Sequence, residues 1–205
     1  MLTLYHSPQS RSTRMIWLLE EIGEPYDVQL LDTKNGENRQ SAYLVINPMG
    51  KVPALRHRGV VITEGAAICC YLADQFPAAM LNVPIGDPQR GPYLKWLFFG
   101  PSCIEPAMLD HMLKREGGPR SQLGWGDYES VVKVLRGAVS KGPFLMGQRF
   151  TAADVVIGSG LRYGMMFKGL PELPEFGAYV KRLTERPAAK RAEAKDAQFQ
   201  KQAAG

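Results

Sequence analysis

The chain has 205 residues, 45% of them apolar and 22% charged, with a formal net charge of +5, enough to bury one large core or two modest ones. No apolar run approaches the roughly 20 residues that span a bilayer, and the positive excess is interleaved with acids in the C-terminal KRAEAKDAQFQK rather than set in a basic stripe with stacking aromatics, so neither a membrane nor a nucleic-acid partner is expected. Cys69, Cys70 and Cys103 form no C-x-x-C and no metal-ligand spacing, which disfavours zinc and dithiol chemistry.

In chain order, LTLY (2–5) reads as a strand and HSPQ as a turn. The segment from Ser10 to Gly23 reads as a helix, with Met15, Leu18, Leu19 and Ile22 recurring at three- and four-residue intervals. YDVQLL (26–31) is a second strand. The polar stretch after it carries at most a short helix, and PALRHRGVVI reads as a hairpin turning at Arg58-Gly59. Thr63 is placed to cap a helix through EGAAICCYLADQF that ends before Pro77. The sequence opens directly on a strand pattern, without a basic-then-apolar leader, and a cytoplasmic location is expected.

A strand crossing by a helix to a second strand implies parallel pairing, and the hairpin adds antiparallel strands. The expected architecture is therefore an α/β thioredoxin-like N-terminal domain with a mixed four-stranded sheet (1–77), a linker (78–87) whose AAMLNVPIGD has no sustained period, and an all-α helical bundle (88–205). In that last part PYLKWLFFGPSCIEPAMLDHML, DYESVVKVLRGAVS, TAADVVIGSGLRYGMMF and PEFGAYVKRLTER carry helical spacing. Within FTAADVVIG, Thr151 and Asp154 fit a capping box with Phe150 ahead of it as a staple, a folding signal rather than a catalytic one.

One local pattern asks for more than packing. GKVPAL (50–55) places a proline, which has no N–H for a ladder, at the start of an apolar run. A plain edge strand would explain it, and so would an extended ligand, such as a peptide, docking against an unpaired Val52 backbone.

Four stretches in this order, SPQSRSTRMIWLLEE, NPMGKVPAL, ITEGAAICCYL and FTAADVVIG, resemble the cytosolic glutathione transferases over nearly the whole chain. The match is of a bacterial, serine-type kind, with phi-, tau- and theta-like and fungal features. The resemblance implies glutathione as co-substrate with no metal, a small hydrophobic electrophile, and a homodimer. It implies a cis Val52-Pro53 bond, Val52 pairing with the cysteinyl part of glutathione, Lys51 near the glycyl carboxylate, and Glu64 on the α-ammonium. Gly65 stands where the family usually has serine, so a hydroxyl contact to the γ-glutamyl carboxylate is missing while the backbone donor of a helix start remains.

The chemistry implied is ionisation of glutathione's thiol, whose free pKa of about 8.5 leaves roughly 3% thiolate at pH 7. Four hydroxyls crowd the right place, Tyr5, Ser7, Ser10 and Ser12, and Ser10, where the first helix begins, is the preferred activating one, because SRSTRMIWLL resembles the phi-class and fungal or bacterial serine-to-arginine stretch. Ser7 is the runner-up by the tau-like SPQSR, and Tyr5 is third. The absence of a cysteine here argues against thiol-transfer and dehydroascorbate-reducing relatives. The electrophile side is placed around Phe99, Cys103, Met108, and His111 or Met112. The alternatives are a noncatalytic transferase-like binding protein, or a glutathione-dependent peroxidase, ether-cleaving or dehalogenating enzyme.

Overall fold

A computed structural model describes residues 1–115 and 118–202. It groups them by contact into two units, Met1–Ala79 with Arg186–Gly205, and Met80–Glu185.

The first unit is built on a four-stranded sheet in the order β2-β1-β3-β4, with β1 Leu2–His6, β2 Asp27–Leu30, β3 Ala54–His57 and β4 Val60–Thr63. β1 runs parallel to β2 and antiparallel to β3, and β3 pairs antiparallel with β4. This is the mixed sheet expected. Helix α1 (Thr13–Ile22) buries Met15, Leu18 and Leu19 and ends at left-handed Gly23, whose N–H returns to Leu19 O, the usual glycine stop. The hairpin turn is Arg58-Gly59, both at positive φ, as a two-residue primed turn requires. Between β2 and β3 lie a short 3-10 turn (Glu37–Arg39) and α2 (Ser41–Leu44).

Helix α3 spans Gly65–Gln75. Thr63 does not cap it, contrary to expectation: Thr63 is still in the β4 ladder opposite Ala54, and Glu64 takes the cap position. Ladder pairing and capping both claim the backbone at this corner, and the strand runs one residue longer than the sequence pattern suggests.

The second unit begins in the segment expected to be a linker. Leu81, Asn82 and Val83 are buried, Leu81 O accepts the Ala152 N–H, and Asn82 O accepts from Arg149. The segment is therefore pinned to its own unit. The long apolar stretch after it is not one helix. α4 (Arg90–Phe99) and α5 (Glu105–Met112) flank a π-helical turn at Gly100–Ile104, where Pro101 and Pro106 remove backbone donors. A Cβ on Gly100 would come within 2.8 Å of Val156 Cγ1, so only glycine lets this turn lie so close to α7 (Ala152–Met166). α6 (Tyr128–Val139) and α8 (Pro174–Thr184) complete the unit, with Leu97, Leu135, Val155, Ile157, Phe176 and Leu183 in its core.

Helix α9 (Pro187–Gln202) belongs by contact to the first unit, where it packs on α1, rather than to the helical bundle in which the sequence division places it. Its buried stripe is Ala188, Ala192 and Asp196, spaced four apart. Glu20 accepts hydrogen bonds from Arg191, Lys195 and Tyr26, and Glu21 is gripped by the Arg186 guanidinium at 2.6 and 2.7 Å. Burial pushes the Glu20 and Asp196 carboxyls upward, but the hydrogen bonds and cations around them outweigh it, and both end below their ordinary values. Their stabilising contribution is complete above the unfolded values of about 4 and is lost as pH falls below them. Amide exchange followed from pH 6 to pH 3 should therefore show α9 losing protection, and Glu20→Gln should reduce the acid-dependent part of that loss.

Candidate functional site

The loop from Asn47 to Pro53 is braced at several of its carbonyls. Tyr43 Oη and Asn47 Nδ2 donate to Lys51 O at 2.6 and 2.8 Å, and Asn38 Nδ2 donates to Gly50 O at 2.6 Å. Gly50 sits at φ +60°, where a Cβ would press on Asn38 O at 2.8 Å, so the loop needs glycine on both counts. The Val52-Pro53 bond is cis. The last β1–β3 pair is Tyr5 with Ala54, so the ladder stops short of Val52, whose side chain packs on the buried cluster of Tyr5, Leu31, Tyr43 and Ala54. Lys51 is exposed.

Glu64 is the conformational outlier of the region. It is exposed, not glycine, and held at φ +66°, ψ +117° at the start of α3. Such backbone costs on the order of 1–3 kcal/mol and persists where the surroundings over-determine it, commonly at ligand sites. Gly65 follows as the first helical residue, and a Cβ there would meet only Met15 Cε, at 3.9 Å. A serine therefore fits. If the missing hydroxyl matters, Gly65→Ser should tighten glutathione binding by up to about 1.5 kcal/mol, roughly tenfold. Calorimetry showing unchanged affinity would mean that another group already fills that role.

The three hydroxyls proposed from sequence separate clearly. Tyr5 is 2% exposed, with its ring tilted against Tyr43 at 5.8 Å. Ser7 is buried and its Oγ pairs with Thr33 Oγ1 at 2.9 Å. Ser10 is only half-buried, and it tops a dense polar run: its Oγ donates to Ser7 O at 2.7 Å, lies 2.6 Å from Ser12 Oγ and accepts from Ser12 N–H at 3.1 Å. Ser12 is fully buried, 2.7 Å from His6 Nδ1. Helix α1 begins only at Thr13, with Ser12 at the cap position, so Ser10 lies in the loop before the helix rather than at its first turn.

The residues assigned to the electrophile side all lie in the second unit. Phe99 ends α4 with its ring edge-on to Trp96 at 5.4 Å. Cys103 is half-buried in the π-helical turn, and burial raises its thiol pKa. Met108 and Met112 meet at Gly169, where a Cβ would lie 2.5 Å from Met108 Cγ and 2.7 Å from Met112 Sδ. His111 is exposed and stacks on Tyr128 with centroids 3.9 Å apart, a packing contact. Cys69 is fully buried and burial pushes its thiol up to about 12, against an opposing pull from Arg14; it acts as a small hydrophobe. Among the described residues no group of three or more His, Cys, Asp or Glu side chains is arranged to hold a metal, and no helix is long and apolar enough to cross a membrane.

Sequence reasoning misses His6 and Asp196. The local pattern assigns His6 to a turn and Asp196 to a run of mixed charge, yet both are buried together under Ser10 and Ser12.

Residues 1–74 match the family model for the glutathione S-transferase N-terminal domain. The chain is 30% identical over 195 residues to glutathione S-transferase GstA of Escherichia coli O157:H7, covering 90% of this chain and 93% of that one. This protein belongs to the glutathione S-transferase family. Solved structures agree. A glutathione transferase from Methylococcus capsulatus superposes with a TM-score of 0.80 at 28% identity, covering 97% of this chain and all of that one. A sphingomonad glutathione S-transferase complexed with glutathione gives 0.78 at 26% identity, covering 95% and 98%. The braced loop, the Val52 backbone beyond the ladder and the outlying Glu64 thus lie in a transferase fold, in the domain that the family model covers.

Proposed function

We propose that this transferase binds glutathione along the Lys51–Pro53 loop and the start of α3, and activates its thiol with Ser10. Support for the binding side comes from Val52, whose backbone lies past the end of the β1–β3 ladder and is free to pair with an extended peptide, and from Glu64 and Gly65 at the positive end of α3. Lys51 lies on the exposed rim for a carboxylate. A structural relative that carries bound glutathione is consistent with this reading.

The observation that carries the catalytic assignment is the different engagement of the hydroxyls: Tyr5 is sealed in the core, Ser7 is tied to Thr33, and Ser10 alone of the three is not buried. The thiol proton leaves to solvent, Ser10 turns its hydrogen from Ser7 O to the sulfur anion, and the thiolate attacks an electrophilic carbon whose leaving group departs with the electron pair of the broken bond. A hydroxyl donating to an anion contributes about 1.5 to 3 kcal/mol, which lowers a thiol pKa by about 1 to 2 units.

The test is glutathione binding by calorimetry together with conjugation of an activated aryl halide and reduction of an organic hydroperoxide. Binding accompanied by conjugation supports the transferase reading. Binding without either reaction would favour a noncatalytic binding protein, and loss of both binding and reaction would overturn the assignment of the site.

A further inference from the structure

The turn that leads through Ser10 into α1 is held from the far end of the chain. Pro8 and Gln9 are its central residues, and Gln9 sits at φ +56°. That is the order of a type II turn, whose third position is normally glycine or asparagine because the backbone there is left-handed. The other side chains at positive φ in the first unit are Arg58, in the hairpin turn, and Glu64, at the start of α3. The cross-bond that commonly closes such a turn is not made at Gln9: Ser7 O faces the hydroxyls of Ser10 at 2.7 Å and Ser12 at 3.1 Å instead of accepting the Ser10 N–H. Gln9 is exposed, so packing of its side chain does not hold it there either.

The contact that does reach Gln9 comes from α9. Asp196 is buried, and it accepts the Gln9 N–H on Oδ2 at 3.3 Å and the Thr13 hydroxyl on Oδ1 at 2.9 Å. One carboxylate thus spans the turn, from its left-handed residue to the first residue of α1, across 187 and 183 positions of sequence. Burial raises its carboxyl, but the His6 ring, Thr13 and the Gln9 N–H more than offset that, and an ionised acceptor makes the stronger hydrogen bond.

We propose that Asp196 is a positioning residue for thiol activation: by holding the Gln9 N–H it keeps the turn left-handed at residue 9, and so keeps Ser10 at glutathione's sulfur. The proposal rests on the reading of Ser10 given above. It concerns the backbone that carries Ser10, whichever way the hydroxyl hydrogens point.

Populations carry the argument. A left-handed backbone is disfavoured about 5- to 30-fold for a residue with a Cβ, whereas glycine takes positive φ about as readily as negative. Without Asp196, glutamine at position 9 leaves the left-handed region in most molecules, and Ser10 leaves with it. The thiolate draws part of that population back, because it is bound better by the aligned turn. The thiolate-to-thiol ratio therefore falls about five- to tenfold. Glycine at the same position keeps about half of the molecules aligned, and the fall is then about twofold.

The experiment is titration of thiolate absorbance at saturating glutathione in the wild type, Asp196→Ala, Gln9→Gly and the double variant, with binding measured in each. Asp196→Ala should raise the midpoint by about 0.7 to 1 pH unit, the five- to tenfold fall in ratio, while glutathione affinity changes much less. In the Gln9→Gly background the same substitution should raise it by only about 0.3 pH unit, the twofold fall. A looser α9 or a general loss of stability would not depend on the residue at position 9, so the coupling between the two sites is the decisive quantity. A folded Asp196→Ala protein with the wild-type midpoint would overturn the proposal, as would an equal shift in both backgrounds, which would assign the effect to helix docking. If Asp196→Ala does not fold, Asp196→Leu, which fills the space and cannot accept, takes its place in both backgrounds and the same comparison decides. A wild type that binds glutathione but never shows a thiolate band removes the Ser10 reading, and this proposal with it, whereas a normal wild-type titration with no dependence on residue 9 removes only the proposal.

Discussion

Asp154→Ala should lower the stability of the protein by about 3 kcal/mol or more, the loss expected when several buried donors are orphaned at once. Asp154 is completely buried at the start of α7. One carboxylate oxygen accepts from Leu145 N at 2.8 Å and Tyr179 Oη at 2.7 Å, and the other accepts from Thr151 N at 2.8 Å and Thr151 Oγ1 at 3.1 Å. Burial pushes its carboxyl up while these four donors pull it down, with burial the larger effect. Alanine leaves all four donors facing a dry hole, and Tyr179, itself fully buried, has nowhere to turn. For a chain of this length a loss of that size moves the thermal midpoint down by about 10 °C. Asp154→Asn should cost less but still be felt, because an amide has one oxygen for two pairs of donors. Calorimetric unfolding checks both, and a midpoint within a degree or two of wild type for Asp154→Ala would remove the capping network from the account of stability. Because Asp154 lies in the second unit, glutathione affinity measured well below the melting temperature should hardly change, which separates this folding role from a catalytic one.

That network is legible in the sequence because capping has a local grammar: Thr151 and Asp154 stand three apart, with Phe150 ahead of them, and the side chains do what the spacing implies. The sheet is legible for the same reason, since a two-residue turn at Arg58-Gly59 and the period of α1 are local signals. What escapes is set by contacts far apart in sequence. The last helix carries only Ala188, Ala192 and Asp196 on its buried stripe, too little apolar surface to distinguish it from a solvated charged run. Its affinity for α1 comes from pairing Arg186, Arg191 and Lys195 with Glu20 and Glu21, some 165 to 175 residues away. The four-residue spacing of the stripe is the one local signal that this helix packs against another element. Likewise the long run after residue 90 has helical period throughout, but Pro101 and Gly100 break its hydrogen bonding locally, and whether the result is a kink, a gap or a π turn depends on how closely Val156 approaches.

The strongest functional effect should come from Ser10→Ala, which we expect to raise the midpoint of bound glutathione's thiol by about 1 to 2 pH units, the loss of one hydroxyl hydrogen bond to an anion. Affinity should fall much less, because the carboxylates and backbone of glutathione supply binding that does not depend on ionisation. Ser7→Ala should shift the titration less, since the Ser7 hydroxyl is occupied by Thr33, and Tyr5→Phe should not shift it, since that ring is sealed against Tyr43. Turnover is the more discriminating reading. Raising a thiol pKa from about 6.5 to about 8 cuts the thiolate at pH 7 roughly 8-fold, but the more basic sulfur is roughly 5-fold more nucleophilic for a slope near 0.45, so ionisation alone predicts only about a twofold loss. At pH 6 the same shift predicts about a fivefold loss. A loss that stays near twofold at pH 7 and grows to about fivefold at pH 6 would confine Ser10 to ionisation. A loss of tenfold or more at both pH values would mean that the hydroxyl also holds the sulfur in line for attack, a positioning effect that ionisation arithmetic cannot supply. An unchanged thiolate titration in Ser10→Ala would overturn the assignment of Ser10 and leave the backbone donors around residues 10 to 12 as the groups that face the sulfur.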